Sequence, residues 1–242
     1  MSVIYTPTGS AREYADLALN LYHGCQHGCI YCYAPSATFK KRNEFHDHVR
    51  PKDNIIKRLK AEVSKKKPNG TPVLMSFTCD PYHPIEESEK ITREAIKILN
   101  NNGFPVCILT KGGTLAMRDF DLLSKFPGNK FGVSLTLYDS ADSITWEPDA
   151  SLPFVRINNL MEAHKAGIWT WVSIEPIINI EQSIELIRLT HKVSEFYGIG
   201  KLNYHKHQKS INWKDALESI ECVLDSYGKE RLIHSTLEEC RD

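Results

Sequence analysis

Residues 22 to 33 read Tyr-His-Gly-Cys-Gln-His-Gly-Cys-Ile-Tyr-Cys-Tyr, and they place Cys25, Cys29 and Cys32 within a span of eight residues. The spacing is C-x3-C-x2-C. Three thiolates on one tight loop can hold three irons of a four-iron cluster and leave the fourth iron open to another ligand. The two glycines of the stretch allow the backbone to bend close to the sulfurs. The spacing therefore favours an iron–sulfur centre.

A structural zinc site is the alternative for this cysteine cluster. Such a site takes four ligands, most often as two separated pairs, and here His23 or His27 would supply the fourth. No second cysteine pair follows in the sequence, because the remaining cysteines stand alone at positions 79, 107, 222 and 240. We favour the iron–sulfur cluster and keep zinc as the alternative.

Short apolar runs rich in β-formers alternate along the chain with segments of helical periodicity. The runs are Leu17–Tyr22, Pro72–Phe77, Pro105–Leu109, Phe131–Leu137, Trp169–Ile174 and Phe196–Leu202. From the second run onward, their starts lie 26 to 38 residues apart, about one βαβ unit each. We therefore predict one α/β domain over residues 1–242, with a barrel-like parallel sheet of six βα units. Its core covers about residues 17–204, between a short lead and a C-terminal helical tail.

In such sheets the functional residues lie at the carboxyl ends of the strands. Polar or special residues follow each predicted strand here. After the cysteine cluster, these segments are Thr78–Tyr82, Thr110–Gly113, Thr136–Asp139, Glu175–Pro176 and Asn203–His205. Because parallel strands bring these ends to one mouth, we expect an active site there.

The charge balance excludes a protein that binds nucleic acid over its whole surface. Lys plus Arg number 30 and Asp plus Glu number 30, so the formal net charge is zero, and any nucleic-acid contact must be a local patch. Residues 1–9 lack the features of a signal peptide. The longest apolar stretch, 168–180, is interrupted by Glu175 and is too short to span a bilayer. We expect a cytoplasmic protein with no membrane contact.

The cysteine spacing, with Tyr31 just before the last cysteine, resembles the motif of the radical S-adenosylmethionine (radical SAM) enzymes. Within that superfamily the chain resembles the branch of spore photoproduct lyase and the DNA repair photolyases. The resemblance extends from about Leu19 to about Tyr204. Its further motifs are Asp80-Pro81-Tyr82, Thr110-Lys111, Arg118-Asp119, Glu147-Pro148 and Glu175-Pro176.

The resemblance implies a partial (β/α)6 TIM-like barrel with Cys25, Cys29 and Cys32 as ligands of a [4Fe–4S] cluster. It further implies that the open iron binds S-adenosylmethionine, which is cleaved to a 5′-deoxyadenosyl radical that removes a hydrogen atom from a substrate. A flavodoxin- or ferredoxin-like protein would then supply the electron.

Several polar residues are candidates for binding S-adenosylmethionine. Tyr31 is expected near the adenine, and Lys111 is a candidate partner of the methionine carboxylate. The remaining candidates are Ser76, Thr78 and Asp80 for the methionine ammonium, and Ser134 and Thr136 for the ribose hydroxyls. Ser134 and Thr136 alternate with apolar residues and so share one strand face. A snorkelling surface lysine and ordinary strand hydroxyls are the alternatives.

One departure from the related proteins concerns mechanism. They usually carry Thr-Asp-Pro-Tyr after the second strand, whereas this chain has Cys79 in place of the threonine. Spore photoproduct lyase uses a cysteine in this general region to return a hydrogen atom to its product radical. We predict that Cys79 faces the active site as a hydrogen donor. The alternative is a small residue that fills the space of the threonine.

The segment Lys201–Lys214 leaves the predicted mouth and carries four lysines, Tyr204 and Trp213, but no acidic residue. Aromatic residues interleaved with cations suit stacking on bases beside phosphates. We predict contact with a nucleic acid or another anionic substrate here, with Tyr204 as a candidate catalytic residue. A solvated loop is the alternative.

The favoured function is hydrogen-atom abstraction by a radical SAM enzyme, with lyase-like repair of a DNA lesion as the family-level hypothesis. The neutral charge and the modest length argue against duplex DNA. Radical modification of an RNA, a nucleotide or a peptide is therefore one alternative. A non-catalytic metal-binding module that recognises nucleic acid is another.

Overall fold

The computed structural model describes residues 2–75 and 77–241. In this part of the chain nine strands form, numbered in chain order: β1 (Leu17–Ala18), β2 (Tyr22–His23), β3 (Arg50–Pro51), β4 (Val73–Met75), β5 (Val106–Thr110), β6 (Lys130–Ser134), β7 (Trp169–Ile177), β8 (Phe196–Lys201) and β9 (Glu230–Ile233). Seven of them form one sheet in the order β1-β4-β5-β6-β7-β8-β9, and β2 pairs with β3 in a separate antiparallel ribbon.

Every pairing in the large sheet is parallel. The sheet curls into a half-barrel, so the prediction of a parallel, partial barrel is confirmed. The register sets Val133 against Val172, and Val172 against Tyr197 in the next strand. These three side chains are fully buried, as expected where helices cover the outer face of a parallel sheet.

The helices are α1 (Ala11–Tyr14), α2 (Ala34–Ala37), α3 (Arg42–Asp47), α4 (Ile55–Val63), α5 (Glu86–Glu89), α6 (Ile91–Asn101), α7 (Phe120–Leu123), α8 (Ser140–Trp146), α9 (Pro153–Lys165), α10 (Ile180–Thr190), α11 (Trp213–Ser226) and α12 (Ser235–Glu238). Two 3₁₀ segments cover Thr114–Asp119 and Lys206–Ser210. In the described residues, no helix is both long and apolar enough to cross a membrane.

The predicted helical tail is only partly correct. Helix α11 forms, but the chain then turns at Gly228, which has φ +62°, and enters a seventh parallel strand, β9. That strand pairs with β8, with Phe196 opposite Glu230. Its residues Glu-Arg-Leu-Ile are exposed or half-buried, so no apolar run marked it in the sequence. An edge strand needs less apolar character because it has one neighbour.

The first predicted strand is also shorter than expected. The run Leu17–Tyr22 pairs with β4 only through Leu17 and Ala18. Asn20 is buried, and its Oδ1 accepts hydrogen bonds from the backbone N–H groups of Phe77 and Thr78, at 3.0 and 2.9 Å. Tyr22 then starts the separate ribbon with β3. The chain thus leaves the sheet just before the cysteine loop.

Candidate active site

A cavity of about 470 Å³ opens at the carboxyl edge of the half-barrel. Most residues singled out in the sequence line it: Cys25, Cys29, Tyr31, Cys32, Thr78, Cys79, Asp80, Lys111, Ser134 and Tyr204. They come from five separate segments of the chain, as expected where parallel strands end together. Ser76, the remaining residue predicted at the methionine ammonium, lies outside the described residues.

The cysteine loop is held by its backbone carbonyls. His46 Nδ1 lies 2.7 Å from the carbonyl oxygen of Cys25, and the guanidinium of Arg42 donates to the carbonyl of Cys29. Gly24 has φ +85°, and a Cβ there would lie 2.3 Å from the carbonyl oxygen of Phe45. Only glycine fits that position. The three sulfurs are therefore presented by a loop that has little freedom to rearrange.

Of the two histidines considered as a fourth zinc ligand, His27 has both ring nitrogens close to other groups. The Nε2 atom of His27 lies 3.2 Å from Asp80 Oδ2, and Nδ1 of the same ring lies 3.2 Å from the carbonyl oxygen of Asp149. His23 lies in β2, in the ribbon outside the large sheet. Across residues 2–75 and 77–241, no three Cys, His, Asp or Glu side chains converge as one metal ion requires. The choice between an iron–sulfur cluster and zinc stays a prediction from the cysteine spacing.

The cysteines of the loop are protonated in the metal-free protein. Burial raises the pKa of the Cys29 thiol to about 12, with the Glu147 carboxylate adding to the effect, and burial also raises the pKa of Cys32. A bound metal needs thiolates, so loading the site must release protons.

Lys111 is a cation of the cavity wall. Its ammonium donates to the hydroxyl of Ser134 at 2.6 Å and lies 3.9 Å from Glu147 Oε1. It also lies 5.6 Å from the centre of the Tyr31 ring. The side chain is mostly buried yet reaches the cavity, which disfavours the alternative of a surface lysine. This position suits a ligand carboxylate.

A buried ion pair supports this wall from behind. Glu147 and Arg156 are almost fully buried, and Arg156 Nη2 lies 2.6 Å from Glu147 Oε2. Arg156 also donates to the carbonyl oxygen of Ser134 at 2.9 Å. Burial alone would raise the pKa of Glu147, but Arg156 and Lys111 outweigh it and lower that pKa to about 2. Sequence reasoning did not assign these two residues, although an arginine within an apolar helix stripe was the available signal.

The Glu147 carboxylate accepts hydrogen bonds from two of the side chains that were predicted to bind S-adenosylmethionine. Tyr31 donates its hydroxyl to Glu147, and Thr136 donates to Glu147 Oε1 at 2.8 Å. Thr136 is fully buried and is absent from the cavity lining, whereas Ser134 lines it. Thr136 therefore supports the wall, and only the ring of Tyr31 faces the cavity.

Asp80 lies in the cavity wall, but its oxygens are engaged by the protein. Oδ1 accepts from Thr110 Oγ1 at 2.6 Å and from the N–H of Tyr82 at 2.7 Å. Oδ2 accepts from the N–H of Lys111 at 2.7 Å and faces His27. Burial would raise the pKa of Asp80, but these partners outweigh it and hold that pKa well below its ordinary value. Asp80 thus uses most of its hydrogen-bonding capacity to tie loops together, and its contact with the methionine ammonium stays a prediction.

Cys79 lies in the cavity wall and is buried. Its sulfur lies 3.8 Å from Asn20 Oδ1. Burial raises the pKa of this thiol to about 11, so it carries its hydrogen at neutral pH. A hydrogen-atom donor needs that S–H bond, and Cys79 meets this requirement.

The basic segment Lys201–Lys214 is more internally packed than the sequence suggested. Trp213 lies beneath the Lys201 ammonium at 5.3 Å and donates its indole N–H to Gln208. His205 packs on Trp146, with ring centres 4.9 Å apart. Tyr204, in contrast, is 96% exposed and adopts φ +59° at the cavity mouth. Of the two aromatic residues predicted to stack on bases, Tyr204 alone presents a free ring.

A second polar group in the cavity was not assigned from the sequence. Glu175, at the end of β7, accepts a hydrogen bond from the Tyr14 hydroxyl through Oε2. His234 Nε2 lies 3.6 Å from the same oxygen, and His234 Nδ1 lies 3.1 Å from Glu13 Oε2. These residues come from positions 13–14, 175 and 234, so no local pattern could have joined them. The lead segment therefore forms part of the cavity wall.

Known proteins resemble this chain in sequence. The Radical SAM superfamily model matches residues 19–192. An uncharacterized protein of Methanocaldococcus jannaschii is 30% identical over 213 residues, which cover 85% of this chain and 80% of that protein. A protein of Pseudomonas phage M6 named radical SAM Nα-GlyT isomerase is 24% identical over 211 residues, which cover 86% of this chain and 42% of that protein.

Solved structures share the fold. A point mutant of spore photoproduct lyase superimposes with a TM-score of 0.70 at 15% identity, over 94% of this chain and 78% of that one. A second mutant of the lyase, with bound AdoMet and dinucleoside spore photoproduct, gives a TM-score of 0.65 at 16% identity over the same shares. Because the family model spans well over half of the chain and the half-barrel is that of spore photoproduct lyase, this protein belongs to the radical SAM superfamily.

Proposed function

We propose that this radical SAM enzyme binds a [4Fe–4S] cluster through Cys25, Cys29 and Cys32 and abstracts a hydrogen atom from a nucleobase-containing substrate. The observation that carries the proposal is the cavity itself. It is lined by the three cysteines of the loop, by the mostly buried Lys111 and by the thiol-bearing Cys79, all at the carboxyl edge of one half-barrel.

The residues present fit such a cluster. The loop offers three cysteine sulfurs that line one cavity, and a four-iron cluster held by three cysteines leaves its fourth iron for a ligand from outside the protein. When bound and reduced, the cluster supplies the electron that cleaves S-adenosylmethionine to a 5′-deoxyadenosyl radical. A flavodoxin- or ferredoxin-like partner would deliver that electron.

The protein's own side chains would bind and orient S-adenosylmethionine. Lys111, held by Ser134 and Glu147, would pair with the methionine carboxylate. The Tyr31 ring, fixed through its hydroxyl, would pack near the adenine. Because most of the cavity lining is buried or half-buried, bound ligands would exclude water from the site.

Hydrogen return is the role that we propose for Cys79. Cys79 lines the cavity, and its buried thiol is neutral at neutral pH. Transfer of its hydrogen atom to a carbon radical would form a C–H bond, break the S–H bond and leave a thiyl radical on Cys79.

A nucleobase-containing substrate is supported by three observations. One similar structure holds a dinucleoside photoproduct, a phage relative is named an isomerase of Nα-GlyT, and Lys201 and Tyr204 lie at the cavity mouth. The zero net charge favours a single-stranded or nucleotide-sized substrate over duplex DNA. Lyase-like repair of a DNA lesion is the form of this chemistry that we propose first.

Anaerobic reconstitution with iron and sulfide, followed by reduction with S-adenosylmethionine, tests the enzymatic proposal. We expect 5′-deoxyadenosine from the wild type and none above background from the Cys25→Ala variant. A stable zinc stoichiometry without 5′-deoxyadenosine would instead indicate a non-catalytic metal-binding module. Deuterium transfer from labelled nucleotide, RNA, DNA or peptide candidates into 5′-deoxyadenosine would then identify the substrate.

A further inference from the structure

Two glycines of β8 open a space inside the half-barrel. Gly198 and Gly200 are two residues apart, so they face the same side of the strand. A Cβ on Gly198 would lie 3.4 Å from the Tyr14 ring, and a Cβ on Gly200 would lie 2.5 Å from Glu175 Cγ and 2.7 Å from Oε1. Any side chain at position 200 would therefore displace Glu175. The strand is built to accommodate this carboxylate.

The Glu175 carboxylate is held through one of its oxygens. Oε2 accepts from the Tyr14 hydroxyl and faces His234 Nε2 at 3.6 Å. The His234 side chain is 3% exposed, and its ring packs on Tyr14 with ring centres 4.2 Å apart. Glu13 lies 3.1 Å from His234 Nδ1 and also accepts from Ser235. Helix α1 and the start of α12 thus fix the carboxylate from behind.

The other oxygen of Glu175 is available to a ligand. Within residues 2–75 and 77–241, Oε1 accepts no hydrogen bond, and the side chain, about one-third exposed, lines the cavity. A carboxylate accepts hydrogen bonds and donates none, so its partner must carry N–H or O–H. An open, oriented acceptor in a cavity is a specificity element.

Aromatic rings line the same cavity as this acceptor. Tyr14, Tyr33, Phe77 and Tyr204 all line the same cavity, and the rings of Tyr14 and Phe77 lie 6.3 Å apart, edge to face. Aromatic faces beside a hydrogen-bond acceptor suit a planar heterocycle that stacks and donates N–H. Lys111 and Lys201 also line the cavity, which favours a ligand with an anionic group over a simple cation.

We propose that Glu175 recognises a nucleobase by accepting a hydrogen bond from a ring or exocyclic N–H. This inference rests on the proposed function, because it names the chemistry that the same cavity selects. The base could belong to the substrate or to S-adenosylmethionine, and the two sources are separable by binding. Tyr14, His234 and Glu13 are positioning residues for this contact.

Binding to the reconstituted, oxidised holoenzyme tests the proposal without turnover. The probes are S-adenosylmethionine and the four homodinucleotides of deoxyadenosine, deoxycytidine, deoxyguanosine and thymidine, measured by calorimetry. Glu175→Gln preserves size but replaces the charged acceptor with an amide. We expect it to weaken one homodinucleotide about tenfold, while S-adenosylmethionine changes less than about twofold. Methylation of that base on its donor nitrogen should weaken wild-type binding equally and add nothing in the variant.

Two further variants distinguish loss of the Glu175 contact from misfolding of the protein. Gly200→Ala keeps the carboxylate but displaces it, and Tyr14→Phe keeps the ring but removes the hydrogen bond to Glu175. Both should weaken the same probe by at least about threefold with the far-UV spectrum unchanged. Glu195→Gln is the matched control, because the Glu195 side chain is exposed and its carboxylate lies 3.7 Å from His164.

The outcomes separate the two sources and the two proposals. Loss of S-adenosylmethionine affinity alone in Glu175→Gln would support recognition of its adenine. The inference would be overturned if Glu175→Gln bound all five probes as the wild type does. It would also be overturned if the wild type bound no homodinucleotide and Glu175→Gln left the affinity for S-adenosylmethionine unchanged. Formation of 5′-deoxyadenosine by the wild type is measured separately, so its failure would refute the proposed function and not this contact.

Discussion

The ammonium of Lys111 lies 2.6 Å from the hydroxyl of Ser134, across the two neighbouring strands β5 and β6. Ser134 is held in turn by its own carbonyl, which accepts from Arg156 at 2.9 Å. The cation is thereby fixed in the cavity wall, 3.9 Å from the buried Glu147 carboxylate. A lysine so placed is ordered before any ligand arrives, which reduces the entropy lost on binding.

Replacing Lys111 by Met should weaken S-adenosylmethionine binding by about 10- to 100-fold, because a charge-assisted hydrogen bond to a carboxylate is lost. Calorimetric titration of the reconstituted protein measures the change. Lys97→Met, on the exposed side of α6, is the control and should bind as the wild type does. Equal affinities in all three proteins would remove Lys111 from the site.

Cys29→Ser should abolish the iron–sulfur centre, because serine replaces one of the three sulfurs on the loop. Iron and sulfide per chain after anaerobic reconstitution, together with the visible absorption spectrum, report the loss. Cys222→Ser is the control for the loss of a cysteine outside the loop, since Cys222 is exposed on α11. It should retain full iron content, and a loss there would contradict the assignment of the loop.

The Glu147–Arg156 pair should make stability depend on acid pH. The pKa of Glu147 falls from 4.5 to about 2 in the folded protein. A depressed folded-state pKa stabilises the fold above pH 4.5, and the contribution disappears as the pH falls from about 4.5 to about 2. The shift corresponds to about 3 kcal/mol. Urea unfolding across this range should show a steeper slope in the wild type than in Glu147→Gln, because Asp80 and Glu62, whose pKa values are also lowered, contribute equally to both proteins.

Glu147→Gln should also destabilise the protein at neutral pH, because it leaves Arg156 buried without a charged partner. The expected cost is about 3 kcal/mol or more. The double variant Glu147→Gln/Arg156→Met should recover part of it, since the unpaired charge is gone. If the double variant lost more unfolding free energy than the two single variants lose together, the pair would not act as a unit.

Cys79 should transfer hydrogen to the 5′-deoxyadenosyl radical when no substrate is present. In heavy water its thiol carries deuterium, so uncoupled turnover should yield monodeuterated 5′-deoxyadenosine, detected by mass spectrometry. Cys79→Ala should lower that deuterated fraction several-fold while the protein still cleaves S-adenosylmethionine. Cys107→Ala is the comparison, because Cys107 lies in β5 and does not line the cavity. The same deuterated fraction in wild type and Cys79→Ala would exclude the donor role.

Local patterns predicted the elements and the cysteine loop because both depend on near neighbours. The spacing of Cys25, Cys29 and Cys32 lies within one loop, and the alternation of strands and helices repeats along the chain. The seventh strand was missed because Glu230–Ile233 has no apolar run. Its pairing with β8 also requires the intervening helix α11 to return the chain to the edge of the sheet.

The sequence by itself determined the radical SAM half-barrel and the residues that converge at its mouth, because periodicity and motif spacing are local properties. Only the tertiary structure decided what those residues are free to do. Asp80 and Thr136 share their polar atoms with partners distant in sequence. Tyr14, Glu175 and His234 meet from opposite ends of the chain. Hydrogen-bond capacity is finite, so the folded contacts determine which groups remain available to a ligand.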